Sequence, residues 1–137
     1  MSQNTAPIFT QTPRIGIGHV TSGANTDMTM TTGTSASLFT AGPSGSYISK
    51  IRFKPSGSTA ASVIRVFINN GSDTTVGDNN ILYGEISLPA ITVSNTLAQN
   101  DFEIPMNIAL PANYRLFSTQ ATALGGGLDA TTIAGDY

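Results

Sequence analysis

The sequence contains no cysteine, no tryptophan and a single histidine, and only 10% of its 137 residues are charged. Ordinary domains carry about 25% charged residues, so Thr, Ser, Asn and backbone groups must hydrate much of this surface. Without cysteine, disulfides are excluded and stability must come from packing, hydrogen bonds and subunit contacts. Low charge also removes the repulsion that keeps identical surfaces apart. The composition therefore favours a subunit that packs against copies of itself or against another shell.

A charge bias of either sign is also missing. The formal net charge is -2, from six Lys plus Arg and eight Asp plus Glu, which gives no basic footprint for nucleic acid or an anionic membrane. No apolar run approaches the ~18 residues of a membrane span, and the first five residues lack the basic and apolar regions of a signal peptide. We therefore expect a protein made in the cytosol, with no nucleic-acid and no membrane partner.

Apolar residues recur at every second position, and Gly, Pro, Asn and Asp fill the breaks between these runs. This pattern predicts strands rather than helices. In Phe102–Leu110, Pro105 predicts an edge strand or a bulge, because proline cannot donate a ladder hydrogen bond. Ser62–Asn69 carries apolar side chains on both faces, which predicts a central strand. Along residues 47–53, alternation predicts an inward row of Tyr47, Ser49, Ile51 and Phe53.

Seven or eight short strands with turn signals about every ten residues predict an all-β fold, a single-domain antiparallel β-sandwich with jelly-roll or Greek-key wiring. We assign residues 1–20 to an extended N-terminal arm and residues 21–137 to the sandwich. Pro7 and Pro13 keep the arm out of a central ladder, and its apolar side chains require a partner groove. The residues predicted to bind a partner are Ile8, Phe9, Arg14, Ile15 and Ile17.

Motifs for nucleophilic catalysis and phosphate binding are weak. Residues 16–18 read Gly-Ile-Gly, but no helix and no third glycine follow, so a plain turn is preferred to a phosphate cradle. A Ser-His-Asp triad would have to combine His19 with Asp27 or a distant acid. No G-x-S-x-G elbow is present. We interpret His19 as a solvent or interface residue.

The carboxylates also favour a structural interpretation. Glu85 and Glu103 are the only glutamates, and we interpret them as solvated strand residues beside Arg52 or Arg65 rather than as a glycosidase pair. The polar loop at residues 73–80 could offer oxygen ligands to Ca²⁺, but its spacing does not match D-x-[DN]-x-[DN]-G. The sequence therefore predicts no enzymatic activity, no catalytic residues, no metal and no cofactor.

Five segments carry a resemblance to a known group of proteins, and they are residues 50–53, 62–71, 83–86, 110–116 and 135–137. In this order they resemble small tailed-bacteriophage proteins that are described as hypothetical or structural. Members of that group typically show an R-x-F-I-x-x-G strand, an L-P-A-G-Y-x-L corner and a G-G-D near the end. Here Asn113 stands where the corner usually has Gly, and Ala134 stands where the first terminal Gly would be.

The resemblance covers about residues 47–137 and implies a jelly-roll protein of the virion, assembled in the host bacterial cytoplasm. The function expected first is a capsid decoration or cement protein that binds and stabilises the outer surface of a phage head. The alternative is a carbohydrate-binding or receptor-recognition module of a tail or head fibre, using exposed Tyr side chains or a Ca²⁺ loop.

The expected partners are other copies of the chain and the major capsid protein or another virion protein. Low charge and the two apolar faces of Ser62–Asn69 leave more apolar surface than one small sandwich can cover. This surplus predicts a homo-oligomer, which we expect to be a trimer.

Overall fold

The computed structural model describes residues 9–20 and 23–137, and regular structure in these ranges is strand apart from one 3₁₀ turn at Gly77–Asn79. The described part of the chain has no helix that is long and apolar enough to cross a membrane. The strands are β1 (Thr12–His19), β2 (Ala36–Thr40), β3 (Ser46–Pro55), β4 (Ser62–Asn69), β5 (Asn80–Leu88), β6 (Phe102–Leu110), β7 (Arg115–Gln120) and β8 (Leu128–Asp136).

These strands form two four-stranded antiparallel sheets that pack face to face. Sheet 1 has the order β1-β8-β3-β6, and sheet 2 has the order β2-β7-β4-β5. Among these eight strands, only β4 and β5 are both consecutive in the chain and hydrogen-bonded neighbours, so most connections cross from one sheet to the other. That arrangement is jelly-roll wiring. The predicted antiparallel β-sandwich is confirmed.

The core lies between the sheets and is built from β-branched, leucine and phenylalanine side chains of both. Its fully buried members include Ile48, Ile51 and Phe53 of β3, Ile64 and Val66 of β4, Leu116 of β7 and Leu128 of β8. Strand β4 has neighbours on both sides, which confirms the central position predicted from its sequence. Phe67, on the opposite face of β4 from Val66, is also completely buried.

Strand β6 confirms the alternation predicted for it, since Ile104, Met106 and Leu110 are buried between exposed residues. It is one of the two edge strands of sheet 1, and its pairing with β3 also shifts register next to Pro105. Asn107, within that irregularity, has a φ of 51°, in the left-handed region that asparagine tolerates better than most residues. The sequence predicted that Pro105 lies in an edge strand or at a bulge, and the structure shows both features.

The inward row predicted for β3 is wrong in its first half. Ile48 is fully buried, whereas Tyr47 and Ser49 are only partly buried. The cause is a bulge, because the register with β8 shifts between Ile48 and Lys50 and leaves Ser49 as an extra residue. A bulge of this kind reverses the faces of all residues on one side of it.

The predicted N-terminal arm differs from the structure over residues 12–19. These residues form β1, which pairs with β8 in one unbroken register from Thr12 opposite Asp136 to His19 opposite Asp129. Pro13 does not prevent this pairing because β1 is an edge strand, where proline is tolerated. Residues 1–8 of the arm, including Ile8, lie outside the described residues.

The inward side of β1 consists largely of glycine and lies directly on β2. A Cβ atom built on Gly16 would lie 2.5 Å from the carbonyl oxygen of Leu38, and one built on Gly18 would lie 2.7 Å from Leu38 Cδ2. Real Cβ atoms do not approach other atoms so closely, so the two strands need glycine at both positions. The Gly-Ile-Gly pattern is thus a strand in close contact with another strand, not the turn that we expected.

Replacing Gly16 with Ala should destabilise the protein, because the added methyl group must push β1 away from the Leu38 backbone. Overpacking of this kind costs about 1–3 kcal/mol, which should appear as a lower midpoint in urea unfolding. Gly84→Ala is the matched control, since a Cβ there would meet only Ile104 Cγ2 at 3.7 Å. An unfolding midpoint of Gly16→Ala equal to or above that of the control would contradict this account of the β1–β2 contact.

Candidate interaction surface

The outer face of sheet 1 carries an apolar patch along β1. Ile15 lies opposite Ile133 of β8, and Ile17 lies opposite Thr131. Because the alternate positions of β1 are glycines that face β2, both isoleucines point outward, and they are 61% and 74% exposed. We call these two exposed residues and the half-buried Ile133 beside them the β1 patch. Adjacent exposed apolar side chains of this size are typical of interaction surfaces rather than of free surface.

The other half of the same face, along β3 and β6, carries charges that are paired within the chain. Lys50 Nζ lies 3.0 Å from Glu103 Oε1, and Arg52 Nε lies 2.9 Å from Asp101 Oδ2. The hydrogen bond from Arg52 lowers the pKa of Asp101 below its usual value. Exposed pairs of this kind contribute only about 0–1 kcal/mol each. Their main effect is to leave this half of the face without a strong field for an anionic partner.

A depression of about 330 Å³ lies on the described surface near the start of β1 and is lined by Phe9, Thr10, Tyr47 and Tyr137. Phe9, one of the predicted partner-binding residues, is 77% exposed there. Tyr47 and Tyr137 were missed by the sequence analysis. The bulge in β3 concealed the outward position of Tyr47, and no local pattern shows that the last residue reaches β3, where Tyr137 N donates to the carbonyl of Gly45.

Arg14, also predicted to bind a partner, has an intramolecular role in the structure. Its guanidinium lies 2.6 Å from Asp136 Oδ2 and over the ring of Phe39, 5.0 Å from the ring centroid. Ser46 Oγ donates to the other carboxylate oxygen of Asp136. Burial alone would raise the pKa of Asp136, but the hydrogen bonds from Ser46 and Arg14 outweigh burial and lower it. Arg14 therefore stabilises one end of the sandwich.

His19 lies beside an acid and a hydroxyl, but not in the order that nucleophilic catalysis requires. His19 Nδ1 is 2.8 Å from Asp129 Oδ1, and Ser56 Oγ is 3.3 Å from the same oxygen. In a catalytic triad the histidine lies between the serine and the acid and accepts the serine proton. Here the acid lies between the other two residues, so Ser56 has no imidazole in contact with it.

Asp27, the other acid considered for a triad, organises the threonine-rich loop before β2. Its two carboxylate oxygens accept hydrogen bonds from the backbone and hydroxyl groups of Thr29, Thr31 and Thr32. These bonds, led by the Thr29 hydroxyl, hold the pKa of Asp27 far below its usual range. Asn25 donates to the carbonyl of Thr32 and closes the same loop. This cluster has a structural explanation and lies apart from His19.

The two glutamates occupy different sheets and form separate ion pairs, as the sequence analysis expected. Glu85 of β5 lies 2.8 Å from Arg65. Glu103 of β6 is directly opposite Arg52 in the strand register and pairs with Lys50. Each carboxylate is thus a cross-strand partner of a cation.

Several oxygen atoms of the polar loop before β5 accept hydrogen bonds within the loop. Asp73 Oδ1 accepts hydrogen bonds from the backbone and hydroxyl of Thr75, both at 2.9 Å. Asn79 and Asn80 donate their side-chain amides to the carbonyls of Asp73 and Thr74. Over residues 9–20 and 23–137, no group of three or more His, Asp and Glu side chains is placed to hold a metal ion.

Two larger depressions also lack a catalytic arrangement. One of about 540 Å³ lies between the end of β3 and residues 93–99, and Lys54 is the charged residue in its lining. Another, of about 360 Å³, lies by the loop before β5, and Asp78 is the charged residue there. Neither lining contains a histidine or two carboxylates. The β1 patch is therefore the strongest candidate site on the described surface.

No family model matches the chain, and no curated protein sequence matches it. Among solved structures, a chain in the structure of infectious bursal disease virus, Gx strain, matches with a TM-score of 0.38 and 15% sequence identity. The match covers 97% of this chain but 36% of that one, so this chain spans little more than a third of the protein it matches. A similarity at this level assigns neither family nor function.

Acid should weaken the fold partly through Asp136. Its folded-state pKa lies below the unfolded value of about 3.9, so the ionised carboxylate stabilises the folded state above that pH. This contribution is lost as the pH falls through the lowered pKa. Asp136→Asn should therefore melt below wild type at neutral pH and lose less stability between about pH 4 and pH 2.

Thermal melting across this pH range measures the effect, with Asp129→Asn as the control. The Asp129 side chain is 46% exposed and contacts His19, so Asp129→Asn removes a carboxylate from the same strand without changing the Arg14–Asp136–Ser46 contacts. Parallel pH profiles for Asp136→Asn and wild type would show that the Arg14–Asp136–Ser46 contacts do not supply this stability.

Proposed function

We propose that this chain is a non-enzymatic structural protein of a bacteriophage virion, a decoration protein that attaches to the outer surface of the head. The observation that carries the proposal is the exposed β1 patch, together with Phe9 before the start of β1, which is also exposed. Transfer of apolar side chains of this size from water into an interface lowers the free energy. The proposed binding residues are Phe9, Ile15 and Ile17, with Tyr47, Tyr137 and Ile133 beside them.

The internal pairing of polar groups supports a binding role over catalysis. His19, Asp27, Glu85 and Glu103 each have an intramolecular partner, and none of these contacts places an imidazole against a serine or threonine hydroxyl. A jelly roll by itself is compatible with many functions. The support for attachment therefore comes from the surface of sheet 1 rather than from the fold.

The energetics favour attachment of an oligomer. Burying a large apolar side chain contributes about 1.5–3 kcal/mol, and association costs several kcal/mol of lost freedom. Three such side chains therefore give a single copy only a low affinity for a shell. Several linked copies raise the retention strongly without any new type of contact. We therefore propose that the protein attaches as a homo-oligomer.

The alternative function is glycan or receptor binding by a module of a head or tail fibre. Tyr83 is 38% exposed, but its hydroxyl donates to the carbonyl of Met106. Tyr47 donates its hydroxyl to Asn107. Both tyrosine hydroxyls therefore already donate hydrogen bonds within the chain, and the β1 patch is apolar. Both features favour a protein partner over a sugar.

Attachment can be measured with particles of the phage that encodes the chain, prepared without this protein. Wild-type protein should bind them saturably, and the double variant Phe9→Ser, Ile17→Ser should bind at least about tenfold more weakly, because two apolar anchors are lost. Ile81→Ser is the matched control, since Ile81 is 63% exposed but lies on β5 of the other sheet. All variants should melt like wild type.

Two results would contradict the proposal. One is the absence of the polypeptide from purified virions, and the other is equal binding of the double variant and wild type. Saturable binding on a glycan array, with no binding to particles, would instead establish the alternative function.

A further inference from the structure

Edge strands expose unpaired backbone groups that can pair with another chain, and three of the four edges in this sandwich are interrupted. Strand β6 contains Pro105 and a register shift, and β5 pairs irregularly with β4 around Tyr83. Strand β2 has five residues and a shift between Ser37 and Phe39. By contrast, β1 pairs with β8 without interruption over eight residues. It is the one long, regular edge among the described strands.

The hydrogen bonds at the two ends of β8 show which groups of β1 are free. Val20 N donates to the carbonyl of Leu128, whereas Tyr137 N donates to Gly45, on the β3 side. Backbone groups along an antiparallel strand alternate between its two neighbours. Even-numbered residues of β8 therefore bond to β1, and even-numbered residues of β1 bond to β8. The odd-numbered residues of β1 direct their N–H and C=O groups away from sheet 1.

These odd-numbered residues are Pro13, Ile15, Ile17 and His19. The exposed isoleucines thus present free backbone donors and acceptors as well as apolar side chains. Pro13 has no N–H to leave unpaired at this edge, which is where proline is tolerated in a sheet. Strand β2 packs against the inner face of β1, and no described strand is hydrogen-bonded to its free edge.

We propose that β1 pairs antiparallel with β1 of a second copy, with Ile15 of each copy opposite Ile17 of the other. The contact joins two copies of sheet 1 into one continuous sheet, with Gly16 of both copies at the two-fold axis. Each Ile15–Ile17 pair exchanges both of its backbone hydrogen bonds. His19 N–H donates to the carbonyl of Pro13 in the second copy. The inference deepens the proposed function, on which its biological role rests, by naming the contact between copies.

Side-chain chemistry supports this register. It brings the isoleucines of both copies together on the outer face, and apolar cross-strand pairs stabilise a sheet. Arg14, the only Lys, Arg, Asp or Glu in β1, lies opposite Gly18 of the second copy, so like charges do not meet. The enlarged apolar surface still faces outward and remains able to contact a shell.

The size of the contact predicts a weak dimer. A strand of this length extends about 27 Å at about 3.4 Å per residue, and a sheet is about 10 Å thick. The contact therefore buries on the order of 300–500 Å² per copy, below the ~800 Å² of a standard interface. We expect dissociation on dilution below about 10 μM. Such a two-fold contact closes at two copies, so a trimer would need a different contact.

Because the chain has no cysteine, engineered thiols can report the register without background. Ile15→Cys and Ile17→Cys should form a mixed disulfide when the two variants are combined and oxidised, since opposed residues have Cα atoms about 5.5 Å apart, within disulfide range. Each variant alone should link at least about tenfold more slowly, because its thiols lie beyond about 7 Å. Ile81→Cys, equally accessible on β5, is the control and should link with neither.

Light scattering provides a second readout that does not depend on disulfide geometry. Wild type and Ile81→Lys should show a concentration-dependent monomer–dimer equilibrium, whereas Ile17→Lys should raise the dissociation constant at least about tenfold by placing charges together at the edge. Ile17→Lys should melt like wild type, because Ile17 is exposed.

The pairing is overturned if Ile81→Cys links as fast as the mixture or if wild type is monomeric or trimeric throughout. Rapid linking of Ile17→Cys with itself overturns the proposed register. A protein that stays monomeric in solution yet binds particles would refute the β1 contact and the oligomeric attachment, but it would leave the proposed role as a head decoration protein intact. If the protein dimerises in solution but is absent from virions, the β1 contact is supported and the proposed function is refuted.

Discussion

The close approach of β1 to β2 is the constraint on which the rest of the structure depends. Gly16 and Gly18 face the interior, where there is no room for a side chain. The Leu38 carbonyl blocks the first position, and the Leu38 side chain and the Ser37 carbonyl block the second. In an ordinary half-buried strand the apolar residues face the core and the polar residues face water. Here glycine occupies the inner positions, and alternation places Ile15 and Ile17 outside. One steric requirement inside the sandwich thus creates an apolar patch on its outer surface.

This arrangement has two consequences for function. The side chains of β1 form an apolar patch, and its unpaired backbone forms a regular free edge, while the other three edges are broken by a proline or a register shift. Elsewhere on sheet 1, acids and bases neutralise one another in pairs such as Lys50–Glu103. Assembly contacts are therefore concentrated at β1. The low charge of the whole chain, which first indicated an assembly subunit, allows two identical edges to meet without strong repulsion.

Sequence patterns predicted the sandwich and the strands whose alternation is complete, such as β4 and β6. They failed where a local irregularity changed the period, as at Ser49, where one extra residue places Tyr47 outside and Ile48 inside. They also failed for β1, because inward glycines give no apolar signal and made a strand resemble an arm. Contacts between residues far apart in the sequence could not be predicted from local patterns. The Arg14–Asp136 pair, 122 positions apart, is an example, and it explains why Arg14 is not available to a partner.

The central claim is that the odd-numbered amides of β1 are free in one copy and paired between two. Amide hydrogen exchange measured by NMR at low and high protein concentration tests it most directly, since protection reports hydrogen bonding residue by residue. We predict that Gly16 and Gly18 are protected at both concentrations through their bonds to β8. Ile15 and Ile17 should exchange rapidly in dilute solution and become protected as the concentration rises. Rapid exchange at both concentrations, or protection already in the dilute monomer, would contradict the account.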